Sequence, residues 1–452
     1  MIEHPNVLWL FCDQLRYHAL ASSGDSNIRT PNLDRLAAQG VRWTNAYSQY
    51  PVCMPFRGGL ITGQHAHING VRVHGDLLQP TECTVAHAFR AAGYRTSWVG
   101  KWHLASNQGI EGWSNGADYW VHPYLRAGFE DWYGFDCSNH YYNTRYSHGE
   151  SIWPPLKVEG YQTDGLTDIS LKYLRETALH LDQPWFHCLS VEAPHGGTDD
   201  KGVMRNPSPP EFERQFEPDK IELRPNVDEG TAPKAREKLA QYYGQILNLD
   251  YNVGRVLDFL DENGLAENTL VVFFSDHGDL MGSHGMFNKS VPLEESIHIP
   301  LIMRLPGRIP EGRFIDDLIS GVDIFPTTAG LCSVPIPPQV QGLDLSGAAC
   351  GKGGLRQEEV LIQWLGKARY GFDDYAYRAI RTKNYTYAVA SIPERCYLFD
   401  NCADPFQQHN LYGEPEADAL EKELLDRLCA AVIRSGEALP DFLLNRKKEL
   451  HR

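Results

Sequence analysis

Residues 6–14 read Asn-Val-Leu-Trp-Leu-Phe-Cys-Asp-Gln, an apolar run (Val7–Phe11) that ends in a carboxylate and an amide. A strand buried on both faces reads as a continuous apolar stretch rather than an alternating one, so this segment is read as an interior strand of a parallel sheet. Open α/β sheets bind ligands beyond the carboxyl ends of their strands, which puts Asp13 and Gln14 where a site belongs. Three more runs end the same way. Arg95–Val99 leads to Lys101 and His103, Trp185–Val191 to Glu192 and His195, and Leu270–Ser275 to Asp276 and His277. One polar strand end means little. Four on one rim would gather three carboxylates, an amide, three imidazoles and a lysine, which suits a hard cation beside an anionic group.

Helical patterns separate these runs. Thr30–Gln39 has a capping Thr30, Pro31 at the first helical position and Gly40 after its end. Thr84–Ala92, Leu166–Leu181 and the long Pro233–Glu262 also read as helices, and Ile299–Arg304 as a further strand. The alternation predicts an α/β fold with a large, mostly parallel sheet flanked by helices, spanning 1–345. The Pro- and Gly-rich stretch 335–355 reads as a boundary. Beyond it, 346–452 reads as a smaller α+β domain. Val360–Leu365, Tyr375–Arg381 and Tyr385–Ala390 alternate like antiparallel strands, and Ala417–Ile433 like an amphipathic helix.

The chain has 452 residues, 42% of them hydrophobic, and a net charge of −16. That is enough apolar material for a large core. The acidic balance argues against a nucleic-acid partner, and no apolar run is long enough to span a membrane. An anionic substrate must therefore be met by a local basic pocket. Ten scattered cysteines without a C-x-x-C pair fit neither a zinc pattern nor a disulfide framework. The first residues show no signal-peptide pattern. A cytoplasmic chain is expected, with an exported one lacking its signal here as the alternative. Oligomeric state is not legible.

Residues 53–63 read Cys-Met-Pro-Phe-Arg-Gly-Gly-Leu-Ile-Thr-Gly. A C-x-P-x-R match is weak alone, where a buried loop thiol explains it as well. It stands with other blocks: Asp13-Gln14, Thr30 through Ala37, Gly100-Lys101-Trp102-His103, Ala193-Pro194-His195, Ser275-Asp276-His277-Gly278, Gly282-Ser283-His284-Gly285 and Lys289, and then Leu398-Phe399-Asp400 through Asn410-Leu411. In that order the chain resembles the type I, formylglycine-dependent sulfatases of the alkaline-phosphatase superfamily.

The resemblance implies a sulfuric ester hydrolase whose Cys53 is oxidised to formylglycine (3-oxoalanine) by a maturation enzyme. A thiolate would form a stable thiosulfate. A gem-diol oxygen can attack sulfur, and the ester so formed can collapse to the aldehyde and release sulfate. By the same resemblance Asp13, Gln14, Asp276, His277 and the Cys53-derived group hold the metal, Arg57 supports the diol and the cation site, Lys101 and Lys289 bind the sulfate, His103 assists the collapse and His195 protonates the departing alcohol. Ca²⁺ is the implied metal. Gln14 and His277 stand where many relatives carry Asp and Asn, which keeps Mn²⁺ or Mg²⁺ as alternatives. Phe56 replaces a frequent Ser after the motif proline, so the maturation system is not fixed. His65, His67, His74 and His284 are read as structural or supporting, and Glu192 as a helper rather than a ligand.

Between Gly112 and Trp153 lie Trp113, Tyr119, Trp120, Tyr124, Phe129, Trp132, Tyr133, Phe135, Tyr141, Tyr142, Tyr146 and Trp153, interleaved with Arg126, Arg145, His122, His140 and His148. Such rings suit a sugar, and equally suit packing onto a sheet. The expected substrate is a small-molecule or oligosaccharide sulfate ester. The rival with the same machinery is a phosphonate monoester or phosphodiester hydrolase. A dizinc phosphatase lacks its second ligand set in this sequence, and an inactive glycan binder would have lost site residues that are present.

Overall fold

A computed structural model describes residues 4–81, 83–105, 120–150, 154–366 and 375–450. Its large sheet is built from β1 (Asn6–Asp13), β2 (Val41–Tyr47), β3 (Arg95–Lys101), β4 (Asp131–Phe135), β5 (Arg145–His148), β6 (Leu156–Lys157), β7 (Trp185–Pro194), and then, past the hairpin β8 (Gly197–Thr198) and β9 (Met204–Arg205), from β10 (Thr269–Ser275), β11 (Leu301–Arg304) and β12 (Arg313–Ser320). The order across the sheet is β12-β2-β11-β10-β1-β7-β3-β4-β5-β6. β1 pairs in parallel with β10 and β7, and β3 in parallel with β7 and β4. β11 runs antiparallel between β10 and β2. The four runs read as strands with polar ends are thus adjacent, β10-β1-β7-β3, and point the same way.

Every residue of β1, β7 and β10 is buried. Helices cover both faces. The core on one face holds Trp9, Phe11, Phe56, Phe186 and Phe274. The core on the other holds Leu8, Leu10, Leu189, Phe273 and the inward side of the 31-residue helix Ala232–Glu262. The helix read over Leu166–Leu181 runs over Gln162–Glu176, followed by a short turn of helix at Ala178–His180.

A second sheet of β13 (Glu359–Trp364), β14 (Tyr377–Thr382), β15 (Tyr385–Ala390) and β16 (Tyr397–Asp400) is antiparallel throughout. It packs on the helices Asp418–Arg434 and Asp441–Leu450 through Tyr387, Leu398, Leu424 and Leu443. Among the described residues no helix is long and apolar enough to cross a membrane.

Of the aromatic stretch, Phe129, Trp132, Phe135 and Tyr141 are core residues, while Tyr124 is 79% exposed. Trp113, Tyr119 and Trp153 lie outside the described residues.

Candidate active site

The ends of β1 and β10 are tied together just past the last paired residues. The Gln14 N–H donates to Asp276 Oδ1 (2.9 Å), and the Leu15 N–H to Ser275 Oγ (2.9 Å). From the long helix, the Tyr242 hydroxyl accepts from the Arg16 N–H (3.0 Å) and donates to the Gln14 carbonyl (2.6 Å). This turn holds Gln14 at φ 68°, in the left-handed region that non-glycine residues seldom occupy. His103 (φ 57°), Asn288 (φ 69°) and Ser290 (φ 82°) share that conformation. Backbone strain of this kind persists only where the surroundings fix it, and it collects at functional sites. Gly100 before Lys101 is required by space as well, since a Cβ there would lie 2.0 Å from the Ser190 carbonyl.

Cys53 is the first residue of a fully buried helix, Cys53–Thr62, and not part of a loop. Pro55 falls in the first turn, where its missing N–H breaks no helical bond. The i, i+4 spacing then sets Arg57 on the same face as Cys53. The Arg57 guanidinium lies 3.2 Å from Asp13 Oδ2 and 3.8 Å from Asp276 Oδ2, donates to the Lys101 carbonyl (2.9 Å) and Ser190 Oγ (3.1 Å), and sits over the Phe11 ring.

Asp13, Cys53, Asp276 and His277 each bring one donor atom to within 4.8 Å of the others, and all four residues are buried. Cys53 Sγ is 3.2 Å from His277 Nε2 and 3.5 Å from Asp13 Oδ1. His277 Nδ1 faces the Gly278 carbonyl at 3.0 Å, which makes Nδ1 the N–H and leaves the Nε2 lone pair toward the cluster. Asp276 Oδ2 is buried without a hydrogen bond among the described residues. Two carboxylates, one of them with an oxygen that accepts no hydrogen bond from a described residue, and an imidazole lone pair fit a divalent cation. Gln14 joins through its main chain. Its side-chain amide runs from Asp279 Oδ2, to which it donates, to Lys289 Nζ, from which it accepts.

Charges around the cluster are strongly coupled. Burial pushes the Asp13 carboxyl up, but Lys101, His195 and Arg57 outweigh it and hold the group well below the carboxylate range. Burial, with Asp13 as a like-charged neighbour, pushes Asp276 up to about 7. The Cys53 thiol rises to about 12, through burial and then Asp13. An unmodified thiol here stays protonated and is a poor nucleophile. Burial, followed by the positive field of Lys289, holds His277 and His195 well below the ordinary imidazole value.

Lys101 Nζ lies 2.9 Å from Asp13 Oδ2 and 3.6 Å from Glu192, and Lys289 Nζ lies 3.8 Å from Cys53 Sγ. The two ammonium groups therefore reach the cluster from different segments. His195 Nδ1 faces the Gly196 carbonyl at 2.5 Å, leaving Nε2 as the free nitrogen, and the His195 carbonyl accepts from the Tyr141 hydroxyl at 2.6 Å. His103 lies further out, half-buried, with Nδ1 free of any hydrogen bond among the described residues. Glu192 accepts from the Ser138 and Asn139 N–H groups and from the Gln162 amide, so it supports Lys101 and fixes the loop after β4.

Three further residues shape the site. Asp279 accepts from the Met281 (2.9 Å) and Asn288 (3.0 Å) N–H groups, folding the loop that presents Lys289. Ser190 steadies Arg57. Asp136 accepts from the Leu104 and Ala105 N–H groups at 2.9 Å and so holds the turn after Lys101. Asp279 follows Asp276 by three residues, just past the block read from the sequence, and was not singled out there.

A family profile described as Sulfatase matches residues 5–334. The chain belongs to the sulfatase family. A second profile, the C-terminal part of N-sulphoglucosamine sulphohydrolase, matches residues 282–433 of this sulfatase. An ulvan-active sulfatase of Formosa agariphila is 34% identical over 437 residues, covering 96% of this chain and 82% of that protein. A solved structure described with the metabolism of multiple glycosaminoglycans by Bacteroides thetaiotaomicron superposes with a TM-score of 0.86 at 25% identity, covering 96% of this chain and 97% of that one. A phosphonate monoester hydrolase of Agrobacterium radiobacter superposes with a TM-score of 0.76 at 21% identity over 95% of this chain and 96% of that one, so the fold itself does not separate the two chemistries. The protein is a sulfuric ester hydrolase of the alkaline-phosphatase superfamily.

Proposed function

We propose that this sulfatase releases inorganic sulfate from a sulfated carbohydrate, with Cys53 matured to formylglycine and a divalent cation, Ca²⁺ first, held by Asp13, Asp276 and His277 and by Gln14, whose amide oxygen would exchange Lys289 Nζ for the cation. The observation that carries the reading is the buried donor cluster around Cys53, with Asp276 Oδ2 lacking a hydrogen bond. The carbohydrate part is supported by the ulvan-active relative and by the neighbour linked to glycosaminoglycan metabolism. The hydrated aldehyde would supply an oxygen nucleophile where the thiol supplies none. The cation would lower that oxygen's pKa and polarise a sulfate oxygen.

The chain's own residues do the rest. Lys101 and Lys289 bind the sulfuryl oxygens and offset the charge that grows on them. Arg57, locked between Asp13 and Asp276, keeps the two carboxylates together despite their repulsion. His195, with Nδ1 committed to Gly196, offers Nε2 to the departing alcohol oxygen. Burial and then Lys289 and Lys101 hold His195 low, and an anionic substrate set against the lysines offsets the second of these, so binding shifts it toward its protonated form.

The test is to strip metal, restore Ca²⁺, Mn²⁺ or Mg²⁺ singly, and follow product release from defined sulfated mono- and disaccharides, an aryl sulfate and a phosphonate monoester. Sulfate release from a saccharide, restored best by Ca²⁺, is expected. A preference of several orders of magnitude for the phosphonate ester would overturn the choice. His195→Ala is expected to lower kcat/KM on the saccharide sulfate about 10²–10⁴-fold and on an aryl sulfate, whose phenolate leaves unaided, far less. Equal losses would remove the acid role.

A further inference from the structure

One histidine read from the sequence as structural or supporting lies beside the site. His74 lies on a loop folded over the start of the Cys53–Thr62 helix. The Gly75 N–H donates to Met54 Sδ (3.3 Å), the Tyr50 hydroxyl donates to the Arg72 carbonyl (2.5 Å), and Asp76 closes the loop by accepting from the Arg72 (2.8 Å) and Val73 (3.2 Å) N–H groups. These contacts fix the His74 ring 5.3 Å from the His103 ring, within electrostatic reach of Lys289, Lys101 and Asp13. Neither nitrogen of His74 forms a hydrogen bond with any described residue, and the side chain is half-buried, whereas Cys53, Lys101 and Lys289 are buried.

From this placement we infer that His74 is a specificity-determining residue that hydrogen-bonds a hydroxyl of the alcohol part of the sulfate ester, next to the ester oxygen. The inference rests on the carbohydrate reading above. The buried ammonium groups take the sulfuryl group. A half-exposed residue one layer further out meets what is attached to it. Sulfate oxygens only accept hydrogen bonds, whereas a hydroxyl both donates and accepts, as a neutral imidazole does. Burial and the two lysines keep His74 neutral, its pKa lowered to about 4.

The experiment compares kcat/KM for the best saccharide sulfate with that for each of its singly deoxygenated counterparts. The wild-type enzyme is expected to favour the full substrate over at least one deoxy counterpart about tenfold, the worth of one good hydrogen bond. His74→Ala is expected to bring that ratio to about one. His74→Phe, which keeps a ring against His103, should do the same, and His74→Gln, which can still donate and accept, should retain part of the preference. Thermal unfolding of each variant shows that it is folded. A ratio that survives both His74→Ala and His74→Phe, or a wild type indifferent to every hydroxyl, overturns the inference alone. A wild type that hydrolyses an aryl sulfate but no sulfated saccharide overturns the carbohydrate reading itself.

Discussion

Cys53→Ala is expected to abolish sulfate release, a loss of about 10⁴-fold or more, with a change in unfolding free energy of only about 1 kcal/mol. The size follows from the position. Cys53 opens a buried helix, with Sγ 3.2 Å from His277 Nε2 and 3.8 Å from Lys289 Nζ, so whatever atom it carries faces both the ligand cluster and the sulfate-binding cation. Alanine leaves the helix and its packing intact and removes only that atom. Cys53→Ser separates two accounts. Serine offers an oxygen but no aldehyde, so it can be sulfated but cannot collapse to a carbonyl, and turnover should still fail. Undiminished turnover by the serine variant would refute the mechanism. The companion measurement is the mass of the Cys53 peptide from active enzyme, expected to be about 18 Da below that of the unmodified peptide, the difference between CH₂–SH and CHO.

The large sheet was legible where burial on both faces leaves an apolar run, unbroken in β1 and β10 and interrupted by His187 and Ser190 in β7. It was not legible in β2 and β12. Val41–Tyr47 mixes Arg42, Thr44 and Asn45 into the strand, and Arg313–Ser320 lies at the sheet edge with Asp316 and Asp317 among its residues. The antiparallel direction of β11 leaves no trace in composition, because its Leu-Ile-Met run is as apolar as those of the parallel strands β1 and β10. The Cys53–Thr62 helix was missed for a related reason. A helix buried all round has no polar face, so it lacks the 3.6-residue alternation by which helices are read. The site residues stood out because strand ends collect them. Asp279 and Ser190 did not, since each acts through a partner far away in the chain: Gln14 for Asp279, at a separation of 265 residues, and Arg57 for Ser190, at 133. His74 was hidden in the same way, because only folding brings its loop against Met54 and His103.

Arg57→Ala is expected to lower the unfolding free energy by about 3–5 kcal/mol, the loss seen when one partner of a buried ion pair is removed. Arg57 is 1% exposed, lies between two carboxylates that are fully buried, and stacks its guanidinium 4.3 Å from the Phe11 ring centre. Its removal leaves Asp13 with Lys101, and leaves Asp276 beside a like charge without its guanidinium. It also strips donors from the Lys101 carbonyl and Ser190 Oγ. Arg57→Lys is the sharper comparison. An ammonium keeps the charge but cannot span Asp13, Asp276, the Lys101 carbonyl and Ser190 at once, so lysine should recover only part of the loss. Urea unfolding with an unchanged slope gives both values directly. If lysine restored full stability, a point charge would suffice and the planar fork would have no structural role. If alanine cost less than about 1 kcal/mol, the two carboxylates would have to be held together against their repulsion by something other than Arg57.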